Sequence, residues 1–149
     1  MDDSHLKLNA NTELASRNTG MAFQRTRLSA DRTLMSVIRT SLSLIGFGFT
    51  IFQVFQRLRE QDIIKKAASA RNFGLALVAL GIVMLVLGIG YHVQFMLGLR
   101  RLRQSMAQEG LIHAESGFPV SLTLIVAFVL LVIGLFAIIS MAFQVGPFG

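Results

Sequence analysis

Three apolar blocks, Thr33 to Phe55, Phe73 to Leu97 and Val120 to Phe143, limit what this chain can become. A bilayer core needs about 20 consecutive apolar residues in a helix, and each block supplies them. A transmembrane β-barrel would show shorter segments of alternating polarity, and no such alternation runs through this chain. With 53% hydrophobic residues in 149, the chain is also too apolar for a soluble domain of its size. The expected fold class is therefore an all-α integral membrane protein with three transmembrane helices.

The segments around the blocks refine this plan. Residues 1–20 hold no apolar core after a positive start, so they do not read as a signal peptide; residues 1–10 are expected to be a disordered tail. Residues 11–32 carry Leu14, Met21, Phe23 and Leu28 among arginines, a pattern suited to an amphipathic interfacial helix, with a break near Gly20. Residues 33–149 then form the three-span domain. Pro119 stands where it could open the third helix.

No cysteine is present, which removes disulfides, thiolate chemistry and cysteine metal sites. Lys and Arg number 14 against 8 acidic residues. The basic residues flank the spans instead of forming a domain, so anionic lipid headgroups are the expected contact and nucleic acid is not. Lys7, Arg17, Arg25, Arg27 and Arg32 before span one, with Arg100, Arg101 and Arg103 after span two, outnumber Arg57, Arg59, Lys65, Lys66 and Arg71 on the other side. That excess favours a cytoplasmic N-terminus and an outside C-terminus.

Span one contains an arginine, Arg39, inside its apolar run. Stepping by four and three residues through this region gives Arg25, Ser29, Arg32, Ser36, Arg39, Ser43, Gly46, Thr50, Gln53 and Arg57. Every member is polar or glycine, and the step is the 3.5-residue period of a left-handed helical seam. An arginine near the bilayer centre costs roughly 2.5–3.5 kcal/mol on the insertion scale, and each Leu, Ile, Val or Phe returns about 0.3–0.6. The apolar residues on the other faces outweigh it, so the helix can insert. Arg39 lies only about two turns in and can also reach back to the headgroups; that alone does not require Ser43, Gly46, Thr50 and Gln53 beyond it. A polar seam in a bilayer faces either protein or water. Three helices cannot enclose a wide path, so one seam per chain implies a homo-oligomer with first spans around an axis. Rings of Arg25, Arg32 and Arg39 would favour anions there.

Elsewhere the signals are plainer. Gly74, Gly81 and Gly88 recur in steps of seven and read as a helix-packing face. Asp31 can pair with Arg27 one turn earlier, or with an arginine of another copy. His92, beside Tyr91, reads as an interfacial residue. His5 and His113 form no metal-ligand spacing with carboxylates. The sequence offers no nucleophile–base pair and no phosphate loop, so no enzyme, cofactor or metal is expected.

At "LSADRTLMSVIRTSLSLIGFGF" the chain resembles the small three-span proteins of the YidH family (domain of unknown function 202), whose first span opens near L-A-x-E-R-T-x-L-A-W-x-R-T-x-L. Leu28, Arg32, Thr33, Arg39 and Thr40 stand at matching positions; Asp31 replaces the glutamate, and Ser36 and Val37 replace the alanine–tryptophan pair. The pattern is also similar to the membrane domain of the vacuolar transporter chaperone, a polyphosphate polymerase and translocase whose first spans ring a basic conduit. This resemblance implies phosphate or polyphosphate as the anion and a pentamer as the assembly. It carries over Arg32 most directly, and nothing of the polymerase, whose soluble domains have no counterpart here.

The combined expectation is a homo-oligomeric conduit for anions in the plasma (inner) membrane. Arg25, Arg32, Arg39 and Arg57 would supply charge, and Ser36, Ser43, Thr50 and Gln53 hydrogen bonds. A non-conducting membrane scaffold and an anionic-lipid-binding protein are the alternatives.

Overall fold

A computed structural model describes residues 2–60, 68–108 and 121–143. Lys65 and Lys66 of the basic connector, Pro119, His113 and the uncharged C-terminal residues 144–149 lie outside them. The described residues form α1 (Asp2–Glu60), α2 (Ala68–Gln108) and α3 (Leu122–Phe143). All three are long and apolar enough to cross a membrane. At about 1.5 Å per residue they extend roughly 88, 61 and 33 Å, against a hydrocarbon core of about 30 Å. Only α3 matches the bilayer; α1 and α2 run far past it.

The continuity of α1 corrects the expected N-terminal organisation. Residues 2–10 are helical and nothing breaks at Gly20. Both prolines lie beyond residue 108, and a single glycine costs only about 1 kcal/mol relative to alanine. Good helix formers on both sides outweigh it. Residues 11–32 belong to the same helix as the first span and do not form a separate one. Glu13 adds an exposed ion pair with Arg17, 2.6 Å apart, worth a few tenths of a kcal/mol. Further along, the Thr33, Thr40, Ser43 and Thr50 hydroxyls each donate to the carbonyl four residues back, at 2.9–3.1 Å. These bonds satisfy the polar hydrogens within the helix itself.

α1 and α2 pack as an antiparallel pair. The contacts descend α1 while ascending α2: Gly48 on Gly74, Ser41 and Ile45 on Gly81, Val37 on Gly88, Asp31 on His92. The residues facing across the seam are Leu34, Ile38, Ser41, Ile45, Gly48 and Phe52 on α1, with Gly74, Val78, Gly81, Leu85 and His92 on α2. With half-buried Gly88, which meets Val37, placed between Leu85 and His92, both series step by four and three, the knobs-into-holes rhythm. Lipid tails are as apolar as these side chains, so close approach and dispersion hold the helices together. Glycine makes that approach possible. A methyl on Gly48 would fall 2.6 Å from the Gly74 carbonyl oxygen, and one on Gly88 would fall 2.6 Å from Val37 Cγ1.

α3 runs parallel to α1 across the groove of this pair. Its Ala127 joins Leu34, Ile38 and Leu85 in one cluster, and Met141 joins Ile45, Phe52, Val78 and Ile82 in another. Gly134 lies between them, where a methyl would sit 3.2 Å from Ile45 Cδ1. Ser121 caps the helix, its Oγ accepting from Leu124 N at 3.1 Å, so α3 opens at Leu122, slightly later than expected. Leu122, Phe128, Ile133 and Phe143 remain exposed on its outer side.

Candidate functional site

The polar series of α1 lies on the side of that helix turned away from α2. Two residues correspond to about 200° of helical rotation, and the burial pattern follows that interval. Arg32, Ser36, Arg39, Ser43, Gly46 and Thr50 are exposed; Leu34, Ile38, Ser41, Ile45, Gly48 and Phe52, each two residues later, are buried. Arg25, Ser29 and Arg57 are also exposed, and Gln53 is half-buried. A methyl on Gly46 would meet nothing within 4 Å. The small residues that bring α1 against α2 are instead Ser41 and Gly48.

The face is broader than one seam. Thr26, Thr33 and Thr40 form an adjacent exposed column, also at steps of seven. Arg25, Arg32 and Arg39 rise along the face about 10 Å apart. They flank the column of Ser29, Ser36 and Ser43, with the threonines on its other side. Such a face presents fixed positive charge, which attracts anions, and hydroxyl oxygens that accept from water along several helical turns. On its other flank stands an exposed apolar column of Leu14, Met21, Leu28, Met35 and Leu42.

Asp31 and Arg27, expected as an ion pair, sit on the packed side of α1 and are half-buried. The structure places His92 against Asp31, Nε2 to Oδ1 3.5 Å, with side-chain exposures of 3% and 22%. His92 is thus buried between helices instead of lying at the lipid interface. Its signal was present in the sequence: His92 follows Gly88 by four residues and completes the series Gly74, Val78, Gly81, Leu85, Gly88. Beside His92 lies a pocket of about 30 Å³ walled by Thr33, Val37, Tyr91 and Phe95. An open groove of about 420 Å³ adjoins it, sharing Ala30, Thr33, Tyr91 and Phe95 and reaching Arg25 and Ser29. Tyr91 and Phe95 stack at 6.3 Å along this wall. Among the described residues no group of three His, Asp or Glu could hold a metal ion.

Fold and face together define an α-helical integral membrane protein, an antiparallel helix pair with a polar, arginine-bearing outer face and a third apolar helix laid across it. The family model for a domain of unknown function (DUF202) matches residues 25–108. That is more than half of the chain, and the chain belongs to this family. The match opens at Arg25, the first arginine of the polar face, and closes at Gln108, the last residue of α2. No curated protein and no solved structure matches the chain.

Proposed function

We propose that copies of this chain assemble around an axis lined by the polar face of α1 and form a conduit for anions. The observation that carries this reading is the exposure of Arg32, Ser36, Arg39, Ser43 and Thr50 opposite the packed seam. In a bilayer those groups need protein or water beside them, because lipid tails offer no partner. Neither α2 nor α3 covers them, so other copies and enclosed water are the fitting neighbours. α3, apolar and largely exposed, suits the lipid side of such an assembly.

In this proposal Arg25, Arg32 and Arg39 draw the anion in and neutralise it, and the hydroxyls of Ser43 and Thr50 replace part of its hydration by turning from the helix carbonyls they bond here to the anion. Arg57 widens the positive field at the far mouth. Phosphate or polyphosphate is the proposed anion and five the proposed copy number, both on the family likeness. The basic excess before α1's span and after α2's favours a cytoplasmic N-terminus in a plasma (inner) membrane, with anionic lipids around the arginines. No chemical step is assigned to the chain.

The test is efflux of phosphate, chloride and short polyphosphate from liposomes holding the purified protein. Wild type is expected to pass anions in preference to potassium, with flux falling roughly ten-fold or more in Arg39→Ala and Arg32→Ala. Flux at the level of empty liposomes, from protein shown to be folded and inserted in both orientations, would replace the conduit with the scaffold reading.

A further inference from the structure

The Asp31–His92 pair takes no part in the proposed anion path. It sits at the end of the seam nearest the first half of α1, where the packed face changes from apolar to ionisable. The 3.5 Å separation of Nε2 and Oδ1 is within Coulombic reach but longer than a charge-assisted N–H···O bond, about 2.7–2.9 Å. Asp31 Oδ1 and His92 Nδ1 are both buried without a hydrogen-bond partner. Nε2 faces the carboxylate, while Nδ1, on the other side of the ring, has no partner. A second proton on the ring changes the charge balance of the pair. With neutral imidazole the pair carries a net negative charge; with imidazolium it becomes a neutral ion pair able to close to hydrogen-bond length.

The surroundings supply access. The pocket of about 30 Å³ beside His92 is large enough for a water molecule. Through its shared walls it adjoins the groove at Arg25 and Ser29, which opens on the polar face. On α1 the charged groups on this side are Asp31 and, one turn earlier, Arg27. On α2 the adjacent titratable side chain is Tyr91, exposed and stacked on Phe95. The described residues of α3 carry no titratable side chain.

We propose that Asp31 and His92 form a proton-binding site between α1 and α2, reached from the Arg25–Ser29 groove, and that its occupancy sets how tightly the two helices are clamped at this end. Proton uptake by the imidazole draws His92 onto Asp31. Proton loss leaves the carboxylate facing a neutral ring, and the first half of α1 and the second half of α2 separate. No bond beyond the N–H forms or breaks.

The test uses the full-length protein in detergent and requires no conduction, so its outcome is independent of the conduit reading. The chain has no cysteine, so Gln24→Cys and Gln104→Cys place spin labels on exposed positions of those two halves. Inter-label distances are measured between about pH 5 and 8, where histidine ordinarily titrates. In wild type the distance is expected to shorten by about 2 Å or more at the acidic end, within the 1–2 Å and larger scale of helix shifts. His92→Gln and Asp31→Asn are expected to abolish the shift. A distance that ignores pH, or one that still shifts in folded His92→Gln, overturns the proposal. The second readout avoids variants of the pair: nitrogen NMR of ring-labelled protein, with His5→Gln and His113→Gln leaving His92 as the sole histidine. A His92 ring that keeps one protonation state across the range also overturns it, and one that titrates supports it.

Discussion

Gly46 and Gly48 lie two residues apart on α1, and the structure gives them opposite circumstances. A side chain on Gly48 meets the Gly74 carbonyl oxygen at 2.6 Å and Leu77 Cβ at 2.9 Å. Backbone and Cβ atoms cannot swing aside, so Gly48→Ala is expected to destabilise the protomer by about 1–3 kcal/mol, the usual cost of overpacking. Thermal or SDS unfolding of the purified protein measures this. Gly46→Ala meets nothing within the protomer and is expected to be neutral or stabilising by up to about 1 kcal/mol from helix propensity. Equal losses at the two positions would show that the seam is not where the structure puts it. The sequence displayed half of this contrast. Gly74, Gly81 and Gly88 announced a packing face on α2 by their spacing. On α1 the small residues fell on two faces, Ser36, Ser43 and Gly46 against Ser41 and Gly48, and periodicity alone does not say which face meets α2. His92 escaped for a related reason: a lone histidine next to an exposed tyrosine looks interfacial until the four-residue step from Gly88 is followed onto the seam.

At the scale of the element, α1 shows why local composition misled the reading of its first half. Polar and charged residues up to Arg32 suggested a tail and a separate surface helix, because hydropathy marks where lipid begins and not where a helix does. The hydrogen bonds of an α-helix are satisfied internally in either medium. Without proline before residue 108, a nucleated helix has little to stop it and propagates past the membrane. Ser16, Gly20 and Phe23 on α1, with Arg103 and Met106 on α2, are still half-buried beyond the apolar spans. Gly20 is then the weakest link of a continuous rod. Gly20→Ala is expected to slow amide hydrogen exchange in residues 12–28 by about five-fold, the equivalent of roughly 1 kcal/mol. Gly20→Pro removes a hydrogen bond and costs about 3 kcal/mol or more, so exchange on its N-terminal side should approach that of free peptide. An unchanged exchange pattern in both variants would indicate that the helix is already broken there.

At the scale of the whole molecule the open question is what covers the polar face of α1. In the protomer α2 and α3 lie on its far side, and nothing described reaches Arg39. Snorkelling can relieve one arginine near the membrane surface. It does nothing for Ser43, Gly46 and Thr50 deeper in the span. Their hydroxyl hydrogens are already used inside the helix, so what they offer a neighbour is oxygen lone pairs and close approach. Two flanks of different character, threonine on one and the Leu28–Met35–Leu42 column on the other, suit a head-to-tail ring better than a two-fold pair, since each copy can offer one flank to the next. The cysteine-free chain makes this directly measurable. Single cysteines at Ser36, Ser43 and Thr50 are expected to cross-link copies to one another in membranes. Cysteines at Ile38 and Ile45 in the seam, or at Ile133 on the outer side of α3, are expected not to. Yield plotted along α1 should therefore rise and fall with the 3.5-residue period of the polar series. One thiol per copy joins only two copies, so the ring is tested with a cysteine on each flank, Thr40→Cys together with Leu42→Cys, both exposed: a ladder extending past dimers marks a head-to-tail ring, and dimers alone mark a two-fold contact. Flat yield along α1, or cross-linking strongest at Ile133, would place the neighbour on α3 and leave the arginines to lipid headgroups.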